Sequence, residues 1–352
     1  MSRAIRVLIV DDSALVRNIL KQGLSMDPAI EVVGTAPDPY IARDLIVQLQ
    51  PDVLTLDVEM PRMDGVAFLR KLMPQYPIPI VMVSSLTQRG KQITMEALEA
   101  GAVDFVAKPT SNVAAGLNAM LAELRSKVKI AATANVSHWK GKKPIAAGGR
   151  AKTSSSALAE STDKIIAIGA STGGTEAIRK VIENFPATTS GTVIVQHMPA
   201  GFTKMFSDRL NQLCQMQVKE AEHGDRVRSG LILIAPGGKQ LEVVRTGGFY
   251  EVRLGSTEKV SGHCPSVDVM MHSVAKHVGA NAVAAMLTGM GQDGAEGMLA
   301  MKQVGARCIS QDEASSVVFG MPKVAYEKGG AERLVPLDKI ATSLLSLLTE
   351  KR

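Results

Sequence analysis

The stretch IIAIGASTGGTEAI, residues 165–178, decides how this chain is read. Its first half is an apolar run into Gly169 and reads as a buried parallel strand. Its second half turns amphipathic after Gly174 and reads as the opening of a helix. Ser171 sits where the two meet. A strand, a Gly-rich turn and a helix in succession predict an α/β fold. Such a turn can cradle a phosphate, present a nucleophile, or only connect tightly. GASTGG has no lysine at the place a P-loop needs one, and it is not G-x-G-x-x-G. A serine on such a turn is exposed at the sheet edge, with backbone N–H groups close to an incoming oxyanion.

The surroundings supply partners for that serine. The apolar run TVIVQ (192–196) leads into His197, and AVAAML (282–287) leads into the loop TGMGQDG, which carries Asp293. With LILIA (231–235), and with LEVVRTGGFYEVRL (241–254) alternating about Gly-Gly as a hairpin, residues 163–352 predict a doubly wound, mainly parallel sheet with an antiparallel hairpin. In a triad reading Ser171 attacks, His197 takes the proton and Asp293 holds the imidazole tautomer. A rival base is His263, in HCPSVD beside Ser266 and Asp268. It ranks second because it follows a hairpin rather than a buried strand. His272 and His277 read as helix-surface residues. The chain order Ser, His, Asp matches neither the α/β-hydrolase nor the chymotrypsin order. Pattern alone leaves a triad and a merely structural turn both open.

The N-terminal third repeats the strand–helix alternation five times, through IRVLIV, EVVGTA, DVLTLD, PIVMVS and VDFVA. It predicts a second parallel sheet, with sites beyond the carboxyl ends of its strands. Asp11 and Asp12 end the first strand, Asp57 the third and Ser84 the fourth, while the fifth runs into Lys108. Three carboxylates at one edge repel unless a cation joins them, and hard oxygen ligands suit Mg²⁺. A carboxylate beside that ion can attack a phosphoryl group.

Between the two lies TANVSHWKGKKPIAAGGRAKTSSSALAEST, rich in Ser, Ala, Gly and Lys, which reads as a linker. The boundaries expected are 1–130, a flexible basic linker over 131–162, and 163–352. Residues 125–160 hold eight Lys+Arg against one Asp+Glu, net +7, whereas 1–124 are net −3 and 161–352 net +2. The chain's +6 therefore belongs to the linker, and with no helix-turn-helix signal a nucleic-acid partner is not expected. The three cysteines are scattered and suggest no disulfide framework. No apolar run is long enough for membrane insertion, and the N-terminus is too short in apolar residues for a signal peptide. A cytoplasmic protein is expected.

VDDS, LDVEMPRMDG and FVAKP make residues 4–130 resemble the receiver domain of bacterial response regulators. The resemblance implies a flavodoxin-like domain of five parallel strands. Asp57 would be the phosphoacceptor, Asp11 and Asp12 would bind Mg²⁺ with it, Ser84 and Lys108 would sense the phosphoryl group, and Phe105 would hold the switch-aromatic position. With IGASTGG, QHMP, HCPSVD and LTGMGQDG behind it, the whole chain resembles the chemotaxis protein-glutamate methylesterases. That implies hydrolysis of γ-glutamyl methyl esters on methyl-accepting chemotaxis receptors, deamidation of certain receptor glutamines, and a chemotaxis histidine kinase as phosphodonor. It also implies the triad Ser171, His197 and Asp293, oxyanion contacts from Thr172 and Met290, no cofactor for the esterase reaction, and a resting receiver that covers the active site. A response regulator with a non-enzymatic output, and a hydrolase of another ester, are the alternatives.

Overall fold

The computed structural model describes residues 3–60, 63–85, 87–109, 113–141 and 164–350. The chain divides into two compact units between residues 149 and 150. In the first, β1 (Ile5–Val10), α1 (Ala14–Ser25), β2 (Ile30–Ala36), α2 (Pro39–Leu49), β3 (Val53–Asp57), α3 (Gly65–Leu72), β4 (Ile80–Ser84), α4 (Gln88–Glu99), β5 (Asp104–Ala107) and α5 (Val113–Ala131) alternate. The strands are all parallel, in the order β2-β1-β3-β4-β5. This is the flavodoxin-like order, whose reversal between β1 and β3 opens a crevice at their carboxyl ends. β3 and β4 are buried at every position, as continuous apolar strands in a parallel sheet should be. Side chains fix the helix starts: Ser13, Asp38, Asp64 and Thr87 each accept a backbone N–H of the first turn.

The folded unit extends further than 130. After α5 the chain returns as a short 3₁₀ turn, Ser137–Trp139, with Val136 buried. The Trp139 ring lies so close to Gly101 that a Cβ there would meet it at 2.9 Å. Gly141 N–H then donates to Pro74 O (2.9 Å). Residues 131–141, expected at the start of the linker, are thus held to this unit. The chain's single tryptophan is the anchor that a polar composition concealed. The rest of the expected linker, 142–162, lies outside the described residues.

The second unit contains β6 (Ile165–Ala170), α6 (Gly174–Ile182), β7 (Gly191–Gln196), α7 (Phe202–Leu213), β8 (Gln217–Glu220), β9 (Arg226–Val227), β10 (Leu231–Ile234), β11 (Leu241–Thr246), β12 (Phe249–Leu254), α8 (Val267–His277), β13 (Ala282–Met286), α9 (Ala295–Gln303), β14 (Arg307–Gln311), α10 (Met321–Glu327), β15 (Leu334–Val335) and α11 (Leu337–Thr349). Seven strands form a parallel sheet, β15-β14-β13-β6-β7-β10-β8. The hairpin β11–β12 does not extend it. With β9 it makes a separate three-stranded antiparallel sheet. Its apolar residues Val243, Tyr250 and Val252 share a core with Met270, Met271 and Val274 of α8, and Val243 N–H donates to the buried Ser273 Oγ (2.8 Å). From β6 the chain moves outward through β7 to the edge strand β8, fills the place between them with β10, then returns through β13 to β14 and β15 on the other side. The reversal lies between β6 and β13, so the crevice expected of such a sheet opens beyond their carboxyl ends.

Candidate functional site

The opening stretch folds as β6, a turn and α6. Gly173 caps α6 at φ 76°, a left-handed conformation that costs a glycine little. The turn leaves the half-buried Ser171 one residue past the sheet. Register then brings the partners alongside. Ala170 pairs with Gln196 of β7, and Gly169 with Met286 of β13. His197 N–H donates to Ala170 O (3.1 Å), and Ser171 N–H to Thr288 O (3.0 Å). Ser171, His197 and the loop bearing Asp293 therefore leave three adjacent parallel strands at one edge.

His197 Nε2 lies 2.7 Å from Asp293 Oδ2. A carboxylate only accepts, so Nε2 carries the proton and Nδ1 offers a lone pair. That Nδ1 is buried and has no hydrogen-bond partner, Ser171 Oγ included. Nucleophile–base contacts are commonly loose without substrate and tighten in the reacting complex. Asp293 is 2% exposed and held by four donors: Ser266 Oγ (2.7 Å) and Asp268 N–H (3.2 Å) on Oδ1, Val267 N–H (2.7 Å) and the His197 ring on Oδ2. Two of these N–H groups open α8, whose positive end favours a carboxylate. Burial works against ionising Asp293, but the His197 contact, Ser266 and the Val267 N–H together hold it below the usual carboxylate range.

HCPSVD therefore enters the site in a different role from the one its histidine suggested. Ser266 and the two residues after it cradle Asp293. His263, expected as the second-ranked base, stacks face to face on His197, with ring centroids 3.6 Å apart and planes 6° apart. His272 is exposed on α8, as expected. The part played by Gln196, and the role of Ser266 toward Asp293, escaped the sequence reading. Gln196 Nε2 donates to both Ser171 O (2.9 Å) and His197 O (3.2 Å), tying the carbonyls of the two residues together. Ser266 carried a legible signal, a serine directly before an apolar helical run, where an N-cap is expected.

The expected oxyanion residues lie on this edge too. Thr172 is buried and its carbonyl accepts Thr288 Oγ1 (3.0 Å). Met290 follows Gly289, whose N–H donates to Val318 O and whose O accepts Gly320 and Met321 N–H. A Cβ on Gly289 would stand 2.8 Å from Ser171 Cβ and 2.4 Å from Met321 Sδ. Gly289→Ala should therefore displace the serine turn and lower kcat by about 10²-fold, the scale of a 1 Å misplacement. Steady-state kinetics with a circular-dichroism control checks this; a folded variant with wild-type kcat refutes it.

In the first unit, Asp11, Asp12 and Asp57 come together, each offering a carboxylate oxygen within 4.8 Å of the others. Lys108 Nζ donates to Asp57 Oδ2 (3.0 Å) and Asp11 Oδ2 (3.1 Å). Val58 N–H holds Asp57 Oδ1 (2.7 Å). Burial pushes Asp57 up to about 6, with the neighbouring Asp11 adding to the rise and Lys108 opposing it. Burial alone would lower Lys108, but the two carboxylates raise it. Three hard oxygen donors beside a buried, charge-strained carboxylate fit a small divalent cation such as Mg²⁺. Ser84 is buried, but its hydroxyl faces Gly90 O (3.2 Å) and accepts Thr94 Oγ1 (2.6 Å). Phe105 is buried on β5.

A chain with one flavodoxin-like acidic-cluster unit and a second α/β unit is organised as a response regulator with an effector domain. Residues 7–119 match the response regulator receiver domain model and residues 166–344 the CheB methylesterase model. This chain belongs to the CheB methylesterase family. It is 69% identical, over the whole of both chains, to a protein-glutamate methylesterase/protein-glutamine glutaminase of Syntrophotalea carbinolica. It is 51% identical to one from Pseudomonas aeruginosa, covering 97% of this chain and 96% of that one. The solved Thermotoga maritima CheB methylesterase catalytic domain superposes with a TM-score of 0.51 at 38% identity, covering 52% of this chain and 98% of that one. Among the described residues no helix is long and apolar enough to cross a membrane.

Proposed function

We propose that this chain is a phosphorylation-regulated hydrolase that removes methyl groups from glutamate methyl esters of chemotaxis receptors and deamidates receptor glutamines. The observation that carries the reading is the His197–Asp293 pair at 2.7 Å beside Ser171 on the edge of one parallel sheet. Ser171 Oγ attacks the ester carbonyl carbon and its proton passes to His197 Nδ1. Asp293 keeps the other proton on Nε2 and offsets the imidazolium charge. The backbone N–H groups of Thr172 and Met290 receive the oxyanion. Collapse breaks the C–O bond, and methanol leaves with the proton from His197. Water then attacks the acyl-serine, giving up its proton to His197, and the glutamate carboxylic acid departs as Ser171 recovers its hydrogen. With a glutamine substrate ammonia is the first product.

In the receiver, Asp57 accepts a phosphoryl group from a chemotaxis histidine kinase, and Asp11, Asp12 and Asp57 hold Mg²⁺. When bound, that ion supplies charge neutralisation for the incoming phosphoryl oxygens. Lys108 is placed to hold one such oxygen, and Ser84 to donate to another once released from Gly90. The esterase reaction as written uses only side chains, backbone N–H groups and water. Such a reaction takes place in the cytoplasm, on the cytoplasmic part of the receptors.

The test is methanol release from methylated receptor membranes, with ammonia followed in parallel on unmodified receptors. Methanol release that rises with a phosphodonor is expected. No methanol, together with hydrolysis of small unrelated esters, would favour the reading as a hydrolase of another substrate.

A further inference from the structure

His263 is left unused by the chemistry above, yet it is built into place with care. Its backbone is pinned in both directions to Val260, N–H to O at 2.9 Å and O from N–H at 3.0 Å, and its carbonyl also accepts Gln240 Nε2 (3.1 Å). The two residues before it, Ser261 at φ 53° and Gly262 at φ 83°, are both left-handed. A serine rarely adopts that conformation without surrounding structure to hold it. Ser261 Oγ reaches Asp268 Oδ2 (3.3 Å), which ties the loop to the same helix start that cradles Asp293. The outcome is a ring laid flat on His197.

We propose that His263 is a positioning residue whose uncharged ring fixes the plane of the His197 imidazole and favours its protonated form during turnover. The proposal rests on His197 being the base. Asp293 restrains the imidazole at Nε2 alone, and a single hydrogen bond leaves the ring free to swing about it. A flat neighbour at 3.6 Å removes that freedom and keeps Nδ1 directed as the sheet edge sets it. It also presents a π face to the imidazolium that forms when Ser171 gives up its proton, an attraction that strengthens as the charge appears.

The effect requires His263 to stay uncharged, and its surroundings arrange this. Burial first, then the neighbouring His197 and, less, Lys259 push it down to about 4, with Asp293 opposing. These three groups, from the loops after β7, before α8 and after β13, are the titratable and charged groups that face it. A charged ring there would repel the imidazolium of His197 at van der Waals distance.

The experiment compares His263→Phe, His263→Ala and His263→Lys in the full chain on methylated receptor membranes, with His197→Ala alongside and thermal unfolding of each. His263→Ala should lose about 10- to 100-fold in kcat with KM nearly unchanged, the scale of a misdirected catalytic group. His263→Phe, flat and uncharged, should recover most of that loss. His263→Lys should be at least as slow as the alanine variant. A folded Phe variant as slow as Ala, or an Ala variant at wild-type kcat, overturns the proposal. If the Ala variant unfolds, the Phe and Lys variants decide, and equal rates for those two overturn it. Wild-type turnover in His197→Ala would instead remove the base assignment itself.

Discussion

Ser171→Ala is expected to lower kcat for methanol release by on the order of 10⁴-fold or more, with phosphorylation of the receiver unchanged. The reasoning is that Ser171 leaves the sheet edge between the strands that lead to His197 and to the Thr288–Met290 loop, and that residues acting as one unit each cost nearly the whole of the covalent route when removed. The residual rate should come from the oxyanion donors and binding alone. Asp293→Asn belongs to the same experiment. Its amide would donate to Nε2 and drive the proton to Nδ1, the tautomer that cannot accept from serine, so a loss near 10⁴-fold is expected. Combining it with Ser171→Ala should cost almost nothing further. Additive losses in the double variant would mean that the two residues do not share one route. Wild-type turnover in Ser171→Ala would end the covalent mechanism outright.

The second large effect concerns Asp57. Asp57→Asn is expected to abolish incorporation of a phosphoryl group from acetyl phosphate, read by intact mass, and with it any stimulation of methanol release by that donor. The amide nitrogen is no nucleophile for phosphorus, and the neighbouring Asp11 is already occupied by Lys108 and by Ser13 N–H (2.9 Å). EDTA should suppress labelling of the unmodified chain equally well, because ionised Asp11, Asp12 and Asp57 repel one another at these separations without a cation. Allosteric couplings typically amount to about 1–3 kcal/mol, so the stimulation lost should lie between about 5- and 150-fold. Labelling of Asp57→Asn at the wild-type level, or labelling indifferent to EDTA, would remove the phosphoacceptor assignment.

Much of this architecture could be read from apolar runs. Fully buried parallel strands such as IIAIGA and VLTLD are continuous hydrophobic segments, and polar residues directly after them fall at the carboxyl edge by simple geometry. Ser171, His197, Asp11 and Asp57 were legible for that reason. Side-chain relations between loops were not. HCPSVD displays a histidine, a serine and an aspartate, which look like a triad of their own, and nothing in the spacing says that the serine caps Asp293 while the histidine lies on His197. The same holds for Gln196, which looks like an ordinary strand end until its amide is seen to span two carbonyls. The hairpin's alternation was legible, but not its choice of α8 over the main sheet, because that choice depends on the apolar face α8 presents. The hold of Trp139 on Gly101 was hidden by the lysines and glycines around it.

The register that sets Ser171 beside His197 has a consequence for how such an enzyme can change. Each is anchored by its own N–H to a neighbouring strand or the loop leaving it, so their separation is a lattice spacing of the sheet. The segments that go on to meet a substrate begin only after those anchors. Insertions or exchanges in these outer segments alter what is admitted while the spacing of the reacting groups stays as it was. One sheet edge can in this way serve receptors of quite different surface, with the chemistry inherited intact and the recognition rewritten around it.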